Sequence, residues 1–191
     1  MKSTVSFPRP IVIIDVETSS NNVLTASMIQ LGAYKFSKEG KLTDDKFNIY
    51  IKPYTDDWSQ EAFECHNISK EFLNKCGCDL KIALLLFEDW VGDKSKYQVG
   101  QWSNSYDVSI MFNAYGHLGL KYPFNRRAWD IASIVRYELI KRGIKPNLKK
   151  YGVGLQSCCK QLGIEVDKRK LHDASYDAYL TGRLLEKVVQ E

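Results

Sequence analysis

The chain has 191 residues, 44% of them hydrophobic and 26% charged, with a formal net charge of +4. These values suit one soluble globular domain with a substantial core, running over residues 1–191 with its motif-bearing part at about 10–190. They exclude a collagen-like, disulfide-scaffold or wholly disordered chain. No apolar run approaches the roughly 18 residues that a membrane-spanning helix needs. The opening MKSTVSFPRP is polar and proline-bearing, unlike a secretory signal. A cytoplasmic protein with no membrane partner is therefore expected.

Five cysteines, Cys65, Cys76, Cys78, Cys158 and Cys159, are an odd number, and reduced thiols are the expectation. Cys65-His66 with Cys76 and Cys78 has no standard zinc-knuckle spacing. Adjacent Cys158 and Cys159 are expected to face a helix core. The charge is unevenly placed. Residues 121–170 hold thirteen Lys or Arg against four acids, a net of +9, so the remainder carries −5. A basic half beside an acidic half suits a polyanion that also approaches bound metal ions.

In chain order, Pro10 precedes the β-branched run Ile11 to Val16, which reads as a central strand buried on both faces. Residues 18–26 form a polar loop. Met28 to Phe36 and Phe47 to Ile51 read as a second and third strand, joined through a turn at Ser37 to Gly40. Short helical pieces follow near residues 59–75. Asp79 is a plausible N-cap for a helix through about Trp90. Tyr97 to Trp102 is a short strand, and Tyr106 to Leu118 a helix ended by Gly119. Helices are expected over 130–142, 153–162 and Asp173 to Val189, with a hint of a further strand near Arg127 to Trp129. Three early strands and then strand-helix units imply a mixed α/β sheet covered by helices.

Three segments carry the chemistry. Asp15 and Glu17 end the first strand with one residue between them, so both side chains leave the same face. Two like charges there repel and lose solvation, an arrangement that a cation between them relieves. Asp107 opens a helix, where an acid also suits the helix dipole. His172 and Asp177 lie in His172-Asp173-Ala174-Ser175-Tyr176-Asp177, with the histidine five positions before the acid. Each has an ordinary reading as a strand-end pair, a helix-start acid or a surface histidine. Asp173 reads as the N-cap of the last helix.

Together, the Asp-x-Glu, the Tyr106-Asp107 about ninety residues later and the terminal His-x-x-x-x-Asp resemble the DEDDh, or DnaQ-like and ribonuclease T-like, family of 3′→5′ exonucleases. The resemblance runs from about Ile11 to Leu185. The segments Ile29 to Ala33, His66 to Leu73, Trp129 to Ala132 and Leu162 to Ile164 are similar to the family's at corresponding places. The tyrosine variant of the superfamily has Tyr four residues before the last acid. That position here is Asp173, so the histidine type fits. The sequence departs from the family at Ser19-Ser20, where a glycine is usual, at Trp102-Ser103 in place of His-Asn, at Asn67 in place of glycine, and at Gln30, where Glu is commoner.

The resemblance implies a ribonuclease H-like fold: a five-stranded mixed sheet flanked by helices. It implies two divalent ions, Mg²⁺ or Mn²⁺, with Asp15 bridging both, Glu17 and Asp177 completing one site and Asp107 helping to hold the other. It implies His172 as general base, an imidazole being able to take a proton at neutral pH. Thr18, His66 and Tyr106 would meet the terminal nucleotide, and the basic segment would guide the strand backbone. The implied partners are single-stranded 3′ ends of DNA or RNA, and a homodimer is a further expectation because some relatives are dimers. The product would be nucleoside 5′-monophosphate. Two other readings stand beside this one: a catalytically weak module that binds 3′ ends or docks on a polymerase, and a ribonuclease H-type endonuclease.

Overall fold

A computed structural model of the chain describes residues 5–102, 105–144 and 154–190. Five strands, β1 (Ile11–Thr18), β2 (Met28–Phe36), β3 (Leu42–Tyr50), β4 (Gln98–Gln101) and β5 (Trp129–Asp130), form one sheet in the order β3-β2-β1-β4-β5. The β3-β2-β1 side is antiparallel and the β1-β4-β5 side parallel. Helices α1 (Gln60–His66), α2 (Lys70–Cys76), α3 (Leu80–Val91), α4 (Tyr106–His117), α5 (Ile131–Lys141), α6 (Leu155–Gln161) and α7 (Ala174–Gln190) complete it. Among the described residues no helix is long and apolar enough to cross a membrane.

The Ile11 to Ile14 run is fully buried because β1 is central and both its faces are covered. Its alternate residues feed two separate cores. Val12, Ile14 and Val16 pack with α3 and α4 through Leu84, Phe87, Met111 and Tyr115. Ile11 and Ile13 pack with α5, α6 and α7 through Val135, Cys159 and Leu184. Cys158 and Cys159 are buried in that second core, and no disulfide joins the five cysteines.

Three details differ from expectation. β3 begins at Leu42, ahead of the predicted Phe47. It is an edge strand whose Asp44, Asp45 and Lys46 stay exposed, so its first half has no apolar alternation, yet the backbone ladder to β2 holds it. Charged residues on such an edge also discourage pairing with another sheet. The two-residue β5 is Trp129–Asp130, and Asp130 caps α5 by accepting from the Ser133 N–H at 2.8 Å. Asp79 has the extended backbone of an N-cap but makes no side-chain cap bond. Its carboxylate lies toward Lys52 Nζ at 3.5 Å instead. Of the predicted 153–162 helix, residue 153 lies outside the described residues, as do Ser103 of one family departure and the basic Lys145, Lys149 and Lys150.

The placement of α7 matters most for the site. The helix crosses β2 and β1 with its N-terminus directly over Gly32. A β-carbon on Gly32 would collide with the backbone of Ala174 and Ser175. Beside it the fully buried Gln30 ties the same helix end to the sheet. Its Oε1 accepts from the Ala174 N–H at 3.2 Å, and its Nε2 donates to Asp173 Oδ2 and Asn48 Oδ1, both at 3.0 Å. Asp173 caps α7 through its Oδ1, which accepts from the Tyr176 N–H at 2.9 Å. Backbone cannot yield locally as a flexible side-chain tip can, so Gly32→Ala is expected to lift α7 and cost about 3 kcal/mol. Urea unfolding of the variant should show a lower midpoint at unchanged slope. An unchanged midpoint would contradict the contact.

Candidate active site

The site lies at the C-terminal end of β1. Asp15 and Glu17 share the strand face of Ile11 and Ile13, and opposite them on β2 stand Gly32 and Gln30. The small residue and the helix-tethering amide leave this face open to α7. The strand register shifts between Glu17 and Thr18, which ends the regular pairing just past the two acids.

Asp107 enters from the other core. It sits in the first turn of α4, 7% exposed, and its Oδ1 accepts from the Val16 N–H at 3.2 Å. That bond lashes the helix start to the strand between Asp15 and Glu17. α4 has no side-chain cap of its own at Ser105. Gln101, buried at the end of β4, stands in by accepting from the Val108 N–H at 2.9 Å. Asp177 comes from the first turn of α7 and is 9% exposed. Its Oδ2 accepts from the backbone N–H of His172 at 3.2 Å, while its Oδ1 is buried with no hydrogen-bond partner.

His172 has φ 64, a left-handed conformation uncommon for a residue with a side chain. This turn sets the exposed imidazole against the acids. One ligating atom each from Glu17, His172 and Asp177 lie within 4.8 Å of one another. The ring's Nδ1 is 3.3 Å from Cys65 Sγ.

The electrostatics follow from this crowding. Burial raises the Asp15 carboxyl well above its usual range, and the charges of Asp107, Glu17, Asp177 and Asp173 add to it. Burial likewise raises Glu17, helped by Asp177, Asp107 and Asp173. Asp107 is pushed up to about 7 by burial, against the lowering effect of the Val16 and Asp107 N–H groups. Asp177 is raised to about 6 by burial, opposed by the N–H and charge of His172. Among the described residues none of the lysine or arginine ion pairs reaches these four acids. Glu17 and Asp177 form the close group with the His172 ring, Asp15 and Asp107 are coupled to them by charge, and these hard oxygen donors, one of them an orphaned buried oxygen of Asp177, suit a divalent cation.

The residues expected at the terminal nucleotide form one hydrogen-bonded wall beside the acids. Thr18 Oγ1 donates to the Ser20 carbonyl at 2.9 Å and meets the Tyr106 hydroxyl at 2.9 Å. The Ile68 N–H donates to His66 Nδ1 at 3.0 Å, so Nε2 carries the ring proton and donates to the Thr18 carbonyl at 3.2 Å. Burial lowers the His66 pKa, which keeps that ring neutral. With both nitrogens engaged, a nucleotide would meet the ring through its face. Ser19 and Ser20 turn inward: Ser19 Oγ accepts from the Ser27 N–H at 2.8 Å, and Ser20 Oγ donates to Asp57 at 2.6 Å. They brace their own loop.

The structure thus brings together Asp15, Glu17, Asp107, His172 and Asp177, with Thr18, His66 and Tyr106 alongside. Sequence reasoning missed Gln30 and Gln101 as supports. Their signal was a polar residue inside an otherwise apolar strand. It also missed Cys65, which the zinc comparison alone had singled out.

Such a sheet with acids gathered at its strand ends is the frame of a ribonuclease H-like nuclease. A family model described as Exonuclease (RNase T) matches residues 12–185. The 3′-5′ DNA exonuclease Cap18 of Escherichia coli is 30% identical over 195 residues, covering 93% of this chain and 92% of that protein. A PolC-type DNA polymerase III of Oceanobacillus iheyensis is 29% identical over 182 residues, covering 94% of this chain and 11% of the polymerase. Among solved structures, cell-death related nuclease 4 aligns with TM-score 0.77 at 17% identity, over 95% of this chain and 63% of that one. The zinc-bound E. coli exonuclease I–ssDNA complex aligns with TM-score 0.79 at 19% identity, over 94% and 40%. The chain belongs to the RNase T exonuclease family. It is an enzyme, a 3′→5′ exonuclease that hydrolyses phosphodiester bonds, in a family that uses divalent metal ions.

The raised carboxyls give a signed expectation for the metal-free protein. Their folded values, about 7 for Asp107 and about 6 for Asp177, exceed the roughly 3.9 of an unfolded aspartate. Between those limits the native state binds more protons, so this contribution to stability is present near pH 4 and lost as pH rises through 6 to 7. Thermal melts in a chelator should fall from pH 5 to pH 7.5. A divalent ion at about 100 times its Kd should restore about 2.7 kcal/mol, several degrees of Tm. Melts indifferent to Mn²⁺ at pH 7.5 would count against a cation site.

Proposed function

We propose that the chain removes nucleotides from the 3′ ends of single-stranded nucleic acid, with DNA preferred over RNA, releasing nucleoside 5′-monophosphates. The observation that carries this reading is the convergence of Asp15, Glu17, Asp107 and Asp177 beside the His172 imidazole. The preference for DNA is supported by the full-length likeness to a DNA exonuclease and by the fold shared with an exonuclease solved on single-stranded DNA. Residues 10–190 are read as one exonuclease domain.

The four acids would hold two divalent ions, Mg²⁺ or Mn²⁺, with Asp15 shared, Glu17 and Asp177 serving one and Asp107 the other. When bound, such ions supply a counter-charge to the entering and leaving oxygens of the phosphodiester. The chain's own groups do the rest. His172 accepts a proton from the attacking water, whose oxygen forms the new bond to phosphorus. The bond from phosphorus to the 3′ oxygen of the preceding nucleotide breaks, and that oxygen takes a proton from solvent. In the wall beside Thr18, His66 and Tyr106 offer ring faces to the last sugar and base, a contact that tolerates any sequence. Described cations of the basic segment, such as Lys160, Lys168 and Lys170, supply a favourable field for the rest of the strand.

The test is a 3′-labelled oligonucleotide in Mn²⁺, in matched single- and double-stranded DNA and RNA forms, with a circular single strand as control. Linear single strands are expected to lose label as mononucleotide, and the circle to survive. Asp15→Asn should cut kcat on the order of 10³-fold, the rate equivalent of several kcal/mol of charge stabilisation. His172→Ala should cut it by about 10²- to 10⁴-fold. Cleavage of the circle, or full activity in Asp15→Asn, would overturn the reading.

A further inference from the structure

Cys65 lies in the last turn of α1, where its thiol faces the proposed base, with Sγ 3.3 Å from His172 Nδ1. We propose that Cys65 is a positioning residue for His172. Its sulfur accepts a hydrogen bond from Nδ1–H, which fixes the ring plane and leaves the Nε2 lone pair for the water proton. This rests on the assignment of His172 as general base.

Three observations carry the proposal. First, the imidazole is exposed on a left-handed turn whose backbone N–H is given to Asp177. The thiol is the hydrogen-bond partner the ring has among the described residues.

Second, Cys65 is carried on a fixed piece. Ser59 caps α1 by accepting from the Ala62 N–H at 3.1 Å, and its own N–H donates to the Ser19 carbonyl at 2.8 Å. At the other end Asn67 closes the helix in a left-handed conformation, and His66 bonds the Thr18 carbonyl. α1 is thereby tied to the loop that leaves the catalytic strand, and the sulfur moves with the acids.

Third, a base that works through Nε2 is compatible with one polarity of this contact. If the thiol donated to Nδ1, the ring hydrogen would sit on Nε2, and the ring could not take a proton there. With sulfur as acceptor, the water O–H proton goes to Nε2, and Nδ1–H keeps its partner while the ring is cationic. The logic is that of a third group orienting a catalytic base, with a weak neutral acceptor in place of a carboxylate.

The contact and the role are read separately. In metal-free protein, long-range ¹H–¹⁵N correlation resolves the ring tautomers of the three histidines, with His172 assigned by His172→Gln. Neutral His172 is expected with its hydrogen on Nδ1, and Cys65→Ala should move it toward Nε2. In steady-state hydrolysis of a single-stranded oligonucleotide, Cys65→Ala should lower kcat about tenfold at unchanged KM, the scale of one lost neutral hydrogen bond. Cys65→Ser, which keeps an acceptor, should recover most of it. Because Cys65 is exposed, both variants should match the parent in Tm. A hydrogen on Nε2 in the parent protein would overturn the proposal. So would undiminished kcat in Cys65→Ala beside an impaired His172→Ala, which leaves the base assignment standing. Full activity in His172→Ala would overturn both together.

Discussion

Four carboxylates that repel one another are held in one cleft, and among the described residues no lysine or arginine ion pair reaches them. Left to itself the cluster would spread or take up protons, as the upward shifts of all four acids record. It stays together because each acid is fixed by backbone that has other reasons to be where it is. Asp15 and Glu17 belong to a strand buried on both faces, Asp107 is lashed to that strand by the Val16 N–H, and Asp177 is locked to the turn before its helix. The site is therefore destabilising by construction, and its natural relief is positive charge from outside the chain.

The supports differ in kind from the groups they hold. Gly32 acts through the absence of a side chain, Gln30 through three hydrogen bonds spanning two strands and a helix, and Gln101 by capping a helix that lacks its own cap. Each is buried, uncharged and outside the chemistry. Buried amides are costly unless satisfied, so their presence in apolar strands marks places where geometry outweighs packing.

Much of this was legible in the sequence. The β-branched run from Ile11, with acids at its end, gives the central strand and its exposed tip. The spacing of His172 and Asp177 gives a turn followed by a helix. The face shared by Asp15 and Glu17 follows from strand alternation alone. What stayed hidden was long-range. Gln30 meets Asp173 across 143 positions, and Cys65 meets His172 across 107, and no local pattern announces such pairs. The early half of β3 was hidden for the opposite reason. An edge strand satisfies its backbone through one neighbour and leaves its side chains to water, so its composition reads as loop. Asp79 looked like a cap because residue type fixes what a side chain can do, while the nearby Lys52 decides what it does.

The sheet separates two apolar layers, and the acids are drawn from both sides of it. Asp107 rides on the α3–α4 layer, Asp177 on the α5–α7 layer, and Asp15 and Glu17 on the partition between them. Sliding one layer past the other by a fraction of an ångström would alter the gap between Asp107 and Asp177 while leaving each layer internally intact. Turnover is for that reason a finer gauge of how the two halves are seated than any global unfolding measurement. Conservative changes far from the cleft, at Phe87 on one side or Leu184 on the other, would register there as misalignment before they register as instability.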